Sequence, residues 1–197
     1  KSIKNRGNVP KPICVAMVGH AEVGKNYLAD SFQRYLQLNH NVTAINIAFA
    51  EPLKALVHDL FPELPTDKAI IEVREKYQSV GSALRHYLGD AVFINALHDS
   101  IYSYEYPFFH IVTDARYANE VDYILNDNPL NHVIHITREG VGPKNLHRSE
   151  LDFLQIILPT GRYYNDRILH YENSGDNSPI ELFNTITDHI FKNKDKQ

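Results

Sequence analysis

One stretch near the start of the chain limits its fold more than any other. Ile13-Cys14-Val15-Ala16-Met17-Val18 is a short, continuous apolar run bounded by Gly19, as a fully buried parallel strand should be. Directly after it comes Gly19-His20-Ala21-Glu22-Val23-Gly24-Lys25-Asn26, and then a segment, 25–38, in which Leu28, Phe32, Tyr35 and Leu36 recur at helical spacing. Strand, glycine turn and helix in that order make a G-x-x-x-x-G-K phosphate loop, with Asn26 where Ser or Thr usually stands. The glycines let the backbone curl so that successive N–H groups surround phosphate oxygens. The helix N-terminus adds unpaired N–H groups and partial positive charge. Lys25 is then placed to reach the β- and γ-phosphates. An amide at position 26 is a poorer Mg²⁺ ligand than a hydroxyl, but the backbone still supplies phosphate binding. The bland alternative is a glycine turn with an incidental lysine.

The rest of the chain continues the alternation. Val42–Ile47 reads as a second strand, Pro52–Leu60 as a short helix with Pro in its first turn, and 66–104 as a long helical stretch broken near Gly81 and Gly89. Phe108–Thr113 reads as a third strand, 117–126 as a helix, His132–Ile136 as a fourth strand, Ile168–Tyr171 as a fifth, and 178–192 as a last helix. Such alternation predicts a three-layer α/β P-loop NTPase fold: a parallel sheet of about five strands with helices on both faces. Residues 1–12, polar and holding Pro10 and Pro12, read as a disordered lead-in, and the terminal Lys-Asn-Lys-Asp-Lys-Gln as a fraying tail. The domain then spans 13–192, with a substrate-side helical segment at about 50–105 and a lid-like loop at about 138–165.

Composition closes off other classes. A chain of 197 residues is long enough for one domain with a core of its own. Its single cysteine, Cys14, excludes a disulfide framework and a cysteine-rich zinc site. With 20 Lys+Arg against 24 Asp+Glu, the net charge of -4 argues against a nucleic-acid polymer as partner. No apolar run approaches the roughly 18 residues of a membrane span, and no signal peptide is visible, so a cytoplasmic protein is expected. The 11 histidines show no H-E-x-x-H spacing. His132 and His135 fall on opposite faces of one strand, so a zinc site is not expected. Tyr102, Tyr104 and Tyr106 read as packing rather than base stacking.

In parallel sheets ligands bind beyond the carboxyl ends of the strands. After the second strand Lys54 lies in the first turns of the next helix, either on the ligand side or as a solvated lysine. After the third, alternation sends Asp114 and Arg116 to one side, where a carboxylate can orient a metal or acceptor and a guanidinium can grip phosphate. A structural Asp–Arg pair is the alternative. After the fourth, the loop from Thr137 to Glu150 carries glycines, Pro143 and the cations Arg138, Lys144 and Arg148. It reads as a mobile phosphate-covering loop or as ordinary surface charge, and Arg162 and Arg167 are weaker candidates.

Taken together, these segments resemble the phage deoxynucleoside monophosphate kinases, which are adenylate-kinase-like P-loop enzymes. Gly24-Lys25-Asn26 is similar to the family's G-K-D, although Tyr27 departs from its Thr. Ala48 to Lys54 resembles its A-x-P-L-K element, and Leu84 to Asp90 its L-Q-x-x-G-T-D region, with His86 for Gln and Asp90 for Thr. Asp114-Ala115-Arg116-Tyr117-Ala118-Asn119-Glu120 matches D-x-R-[FY]-x-N-E, the most specific of the series. His147-Arg148-Ser149-Glu150 resembles H-x-S-E, and Asn173 the asparagine that ends the last strand near the adenine pocket. The family's basic residue before L-Q-x-x-G has no counterpart at Ser82 or Ala83. The resemblance implies transfer of the ATP γ-phosphate to a (deoxy)nucleoside 5′-monophosphate, with Mg²⁺. It places Gly19, Ala21, Glu22, Val23, Gly24, Lys25, Asn26, Tyr27, Arg138 and Asn173 at ATP, with Asn26 as a weak contact to the Mg²⁺. Lys54, Arg85, His86, Gly89, Asp90, Asp114 and Arg116 fall to the acceptor, and Lys25, Asp114, Arg116 and Arg148 to the transfer. The alternatives are a P-loop kinase for another phosphorylated acceptor, such as phosphomevalonate, or an inactive nucleotide-binding protein. A homodimer is left open.

Overall fold

The computed structural model describes residues 11–65, 70–103, 109–157 and 166–194. Residues 1–10 of the lead-in, Tyr104, Tyr106, Phe108, Arg162, the far part of the lid-like segment at 158–165 and the tail beyond 194 lie outside them. The described elements run β1 (Ile13–Val18), α1 (Lys25–His40), β2 (Ala44–Ile47), α2 (Glu51–Leu60), α3 (Ile71–Leu88) and α4 (Val92–Ser103). Then follow β3 (Phe109–Ala115), α5 (Ala118–Asp127), β4 (His132–Thr137), α6 (Arg148–Leu151), α7 (Leu154–Ile157), β5 (Ile168–Glu172) and α8 (Ile180–Lys194).

Five parallel strands pair in the order β2-β3-β1-β4-β5. Every residue of β1 is buried, as the central position demands. Alternation splits that strand between two cores. Ile13, Val15 and Met17 join α1 and α8 through Phe32, Leu36, Phe183 and Ile190. Cys14, Ala16 and Val18 join α2, α4 and α5 through Phe49, Val57, Leu97 and Ile124. The result is the three-layer α/β P-loop arrangement. Because the order reverses at β1, with β3 on one side and β4 on the other, the crevice opens where the phosphate loop leaves the sheet.

Two local departures from the sequence reading have physical causes. Gly81 does not break the helical stretch, and α3 runs from Ile71 to Leu88 before ending at Gly89, whose φ is 94°. A Cβ at Gly81 would lie 3.1 Å from Leu53 Cδ2, so the glycine lets α2 approach α3 closely. In β3 strict alternation fails. Ala16 pairs with Val112 but Val18 pairs with Ala115, so β3 carries one extra residue and Val112 and Ala115 pack in the same core. The bulge falls at Thr113–Asp114, at the crevice. The histidines of β4 do separate: His132 meets His189 of α8 at 2.9 Å, while His135 packs by Phe153 on the other face. Among the described residues no helix is long and apolar enough to cross a membrane.

Candidate active site

The crevice is a cleft of about 710 Å³ lined by the phosphate loop, the end of β3, the start of α2, one face of α3 and the loop that enters α6. Three positions of the phosphate loop take positive φ: Gly19 at 148°, Glu22 at 69° and Gly24 at 98°. A Cβ at Gly19 would sit 2.4 Å from the Ile136 carbonyl oxygen, and one at Gly24 2.4 Å from Asn173 Nδ2, so both places require glycine. Gly24 caps α1 with no side-chain hydrogen bond, which leaves the first N–H groups of the helix to the cleft. Lys25 is buried, and its Nζ donates to Gly19 O at 2.8 Å and His20 O at 2.6 Å. Burial, with the Arg116 charge behind it, pushes the ammonium down to about 8.

Opposite the loop stand three guanidinium groups. Arg85 lies between aromatic rings, 4.4 Å from Phe93 and 3.8 Å from Tyr117, and pairs with Glu120 at 2.7 Å. Glu120 Oε2 accepts from the backbone N–H groups of Arg116 and Tyr117, at 2.8 and 3.1 Å. Burial pushes its carboxyl up, to about 7, against the pull of those amides and of Arg85. Arg116 Nη1 donates to Glu150 Oε1 at 3.1 Å, and Arg74 approaches the same oxygen at 3.9 Å. Glu150 is itself 1% exposed. Asp114 accepts from the Phe49 N–H at 2.7 Å and the Ala50 N–H at 3.1 Å, so it fixes the turn from β2 into α2.

Of the residues expected at ATP, Ala21, Glu22, Gly24, Lys25, Asn26 and Tyr27 line the cleft, and Gly19 shapes the loop from below. Val23 is buried in the core, and its carbonyl accepts from Asn173 Nδ2 at 2.9 Å. The Asn173 amide thus braces the phosphate loop. Arg138 is exposed at the end of β4 and does not line the cleft. Of the residues expected at the acceptor, Lys54, Arg85, Asp114 and Arg116 line it, whereas His86, Gly89 and Asp90 do not. Helical spacing turns Arg85 inward and so turns His86 out to solvent. Arg148 does not line it either, but lies behind the wall, holding Asp152 at 3.0 Å and Asp90 at 3.4 Å with its guanidinium 5.4 Å from the centre of the Tyr117 ring.

The cleft also contains residues that the sequence reading did not single out. Arg74, Tyr77, Gln78 and Gly81 line it from α3 together with Arg85. Their spacing is that of one helical face, a signal present in the sequence that only a partner surface could have made meaningful. Phe49, Ala50, Leu53, Phe93 and Thr113 add to the wall, as do Tyr117, Glu120, His147, Ser149 and Glu150 from the motifs quoted above.

No protein-family model matches the chain, and no curated protein matches it in sequence. Solved structures that resemble it include the Mycobacterium tuberculosis APS kinase CysC in complex with AMPPNP and APS, at 16% identity, covering 92% of this chain and 99% of that one with a TM-score of 0.40. A gluconokinase from Sinorhizobium meliloti 1021 is 9% identical, with 93% and 94% covered and a TM-score of 0.44. Shikimate kinase from Bacteroides thetaiotaomicron is 16% identical, with 92% and 80% covered and a TM-score of 0.31. Likenesses this distant leave the chemistry to be read from the cleft.

Proposed function

We infer that the chain is a nucleotide kinase that transfers the γ-phosphate of ATP to a (deoxy)nucleoside 5′-monophosphate. One observation carries this reading. Arg74, Arg85 and Arg116 gather on the wall opposite the phosphate loop. A phosphate acceptor is already an anion near neutral pH, so it needs that positive charge and calls for no base. Tyr77, partly buried on the same face of α3 as Arg74, adds flat apolar surface for a nucleobase.

In this mechanism the chain's own groups bind and orient. The loop amides and Lys25 hold the donor phosphates, and the ammonium carries charge as it develops on the transferred group. Arg116 and Arg85, fixed by buried carboxylates and aromatic rings, hold the acceptor in line with it. A magnesium ion carried by ATP fits the oxygen donors here, since each Asp114 oxygen accepts one N–H and the Asn26 side chain reaches the cleft. When bound, it neutralises phosphate charge.

ADP release with ATP against dTMP, dGMP, dCMP, AMP and phosphomevalonate tests the acceptor. Turnover with at least one of the four nucleoside monophosphates and none with phosphomevalonate is expected. Turnover with phosphomevalonate alone would move the acceptor to that class, and ATP binding without any turnover would make the chain a nucleotide-binding protein.

A further inference from the structure

One pair of charges has no part in that mechanism. Glu22 sits within the phosphate loop, on the cleft wall, with its backbone at a φ of 69°. Left-handed backbone is a costly place for a glutamate, and a carboxylate is the wrong charge to set beside a polyphosphate. Its Oε2 accepts from Lys144 Nζ at 2.6 Å. Lys144 belongs to the loop between β4 and α6, which also touches α3. There Asn145 Nδ2 donates to Gln78 Oε1 at 3.2 Å, and His147 Nε2 lies 3.2 Å from the Ser82 hydroxyl oxygen. A single run of four residues therefore touches the phosphate loop at one end and the acceptor-side helix at the other. The two charged side chains are 39% and 58% exposed, so their pairing contributes little to stability. The strain and the misplaced charge call for another reason.

We propose that Lys144 is a ligand for the donor phosphates which Glu22 holds in place at the mouth of the loop, so that carboxylate and polyphosphate compete for one ammonium. This rests on reading the loop as the ATP site. Lys144 carries three N–H donors on a flexible stem, and Glu22 already keeps its Nζ beside the phosphate loop. A polyphosphate offers more negative charge than a carboxylate and draws the ammonium over. Glu22 is then left unpaired next to the bound anion, and its repulsion sets donor affinity below what the loop and Lys144 would give together. A donor site limited in this way releases spent nucleotide faster, which matters where product release limits turnover.

A mere tie between loop and lid makes a different prediction, because Glu22→Gln and Lys144→Met cut the same tie and must shift nucleotide affinity in the same direction. Competition for one ammonium predicts opposite directions and, unlike two independent charges, a gain from Glu22→Gln that shrinks in the Lys144→Met background. Calorimetric titration with Mg²⁺–ATP and with inorganic tripolyphosphate separates the two. For Glu22→Gln, removal of a nearby like charge tightens both probes by about threefold. For Lys144→Met, loss of a charge-assisted contact weakens both by about tenfold. Both sites are solvent-accessible, and unchanged melting curves establish that the variants fold. Shifts of the same sign, or no shift in Lys144→Met, overturn the proposal while wild-type binding leaves the nucleotide reading intact. Wild-type protein that binds neither probe overturns both.

Discussion

The two ends of the cleft are built from different materials. The donor end is mostly backbone: Gly19 and Gly24 at positive φ, the bare N-terminus of α1, and one buried lysine folded back on the loop's own carbonyls. The acceptor end is mostly side chains, and they arrive from distant parts of the chain. Arg74 and Arg85 come from α3, Arg116 from the end of β3, Glu120 from α5 and Glu150 from α6. A backbone site is local and tolerates few changes of geometry. A side-chain site depends on every element that contributes to it, so its stability and its chemistry are coupled.

The largest effect expected from this contrast is at the donor end. Lys25→Ala should cut kcat/KM by about 10³-fold, as loss of a preorganised transition-state contact does. Melting should hardly change, because burial already penalises the charged form of Lys25. A variant with near wild-type turnover would remove Lys25 from the mechanism. At the acceptor end the effects should combine. Arg85→Ala leaves the Glu120 carboxylate buried without its cation and should cost about 3 kcal/mol of stability, seen by denaturant unfolding. It should also raise KM for the acceptor more than KM for ATP. Loss of acceptor affinity at full stability would show that the two roles are separable after all.

A single methyl tests the backbone site. In Gly24→Ala the new Cβ meets the Asn173 amide and the residue is held at a φ of 98°. About 1–2 kcal/mol of stability and roughly tenfold in ATP affinity should be lost. Wild-type affinity would mean that the loop is not held as described. The smallest effect is that of pH. ATP binds the charged form of Lys25, whose free-protein pKa lies at about 8. Affinity for ATP should therefore be level well below that pH and fall by about fivefold between pH 8 and pH 9. A flat profile from pH 7 to 9.5 would place the controlling charge elsewhere.

The same contrast explains what could be read from the sequence. The order of strands and helices and the phosphate loop were legible because each is encoded by neighbours: an apolar run, two glycines, a lysine and a helical period. Asp114 and Arg116 were legible as residues at a strand end, and both line the cleft. The bulge that places them was not, since nothing local marks the extra residue in β3. Gly81 reads as a breaker because helix propensity is a local rule, whereas its role is to admit Leu53 from another helix. Arg74, Tyr77 and Gln78 carry no local signal of a site, and only the cleft gives their face of α3 a partner. Arg148 and Asp90 read as site residues by their neighbours, yet they pair with each other behind Tyr117 and neither lines the cleft.

The most direct test is to follow the phosphoryl group itself. ATP labelled in its γ-phosphate is incubated with Mg²⁺, the protein and the (deoxy)nucleoside monophosphate that gives most ADP release, and the products are separated. The label is predicted to appear as the β-phosphate of the (deoxy)nucleoside diphosphate, one for each ADP formed. Label recovered only as inorganic phosphate, or left in ATP, would contradict transfer between the two ends of this cleft.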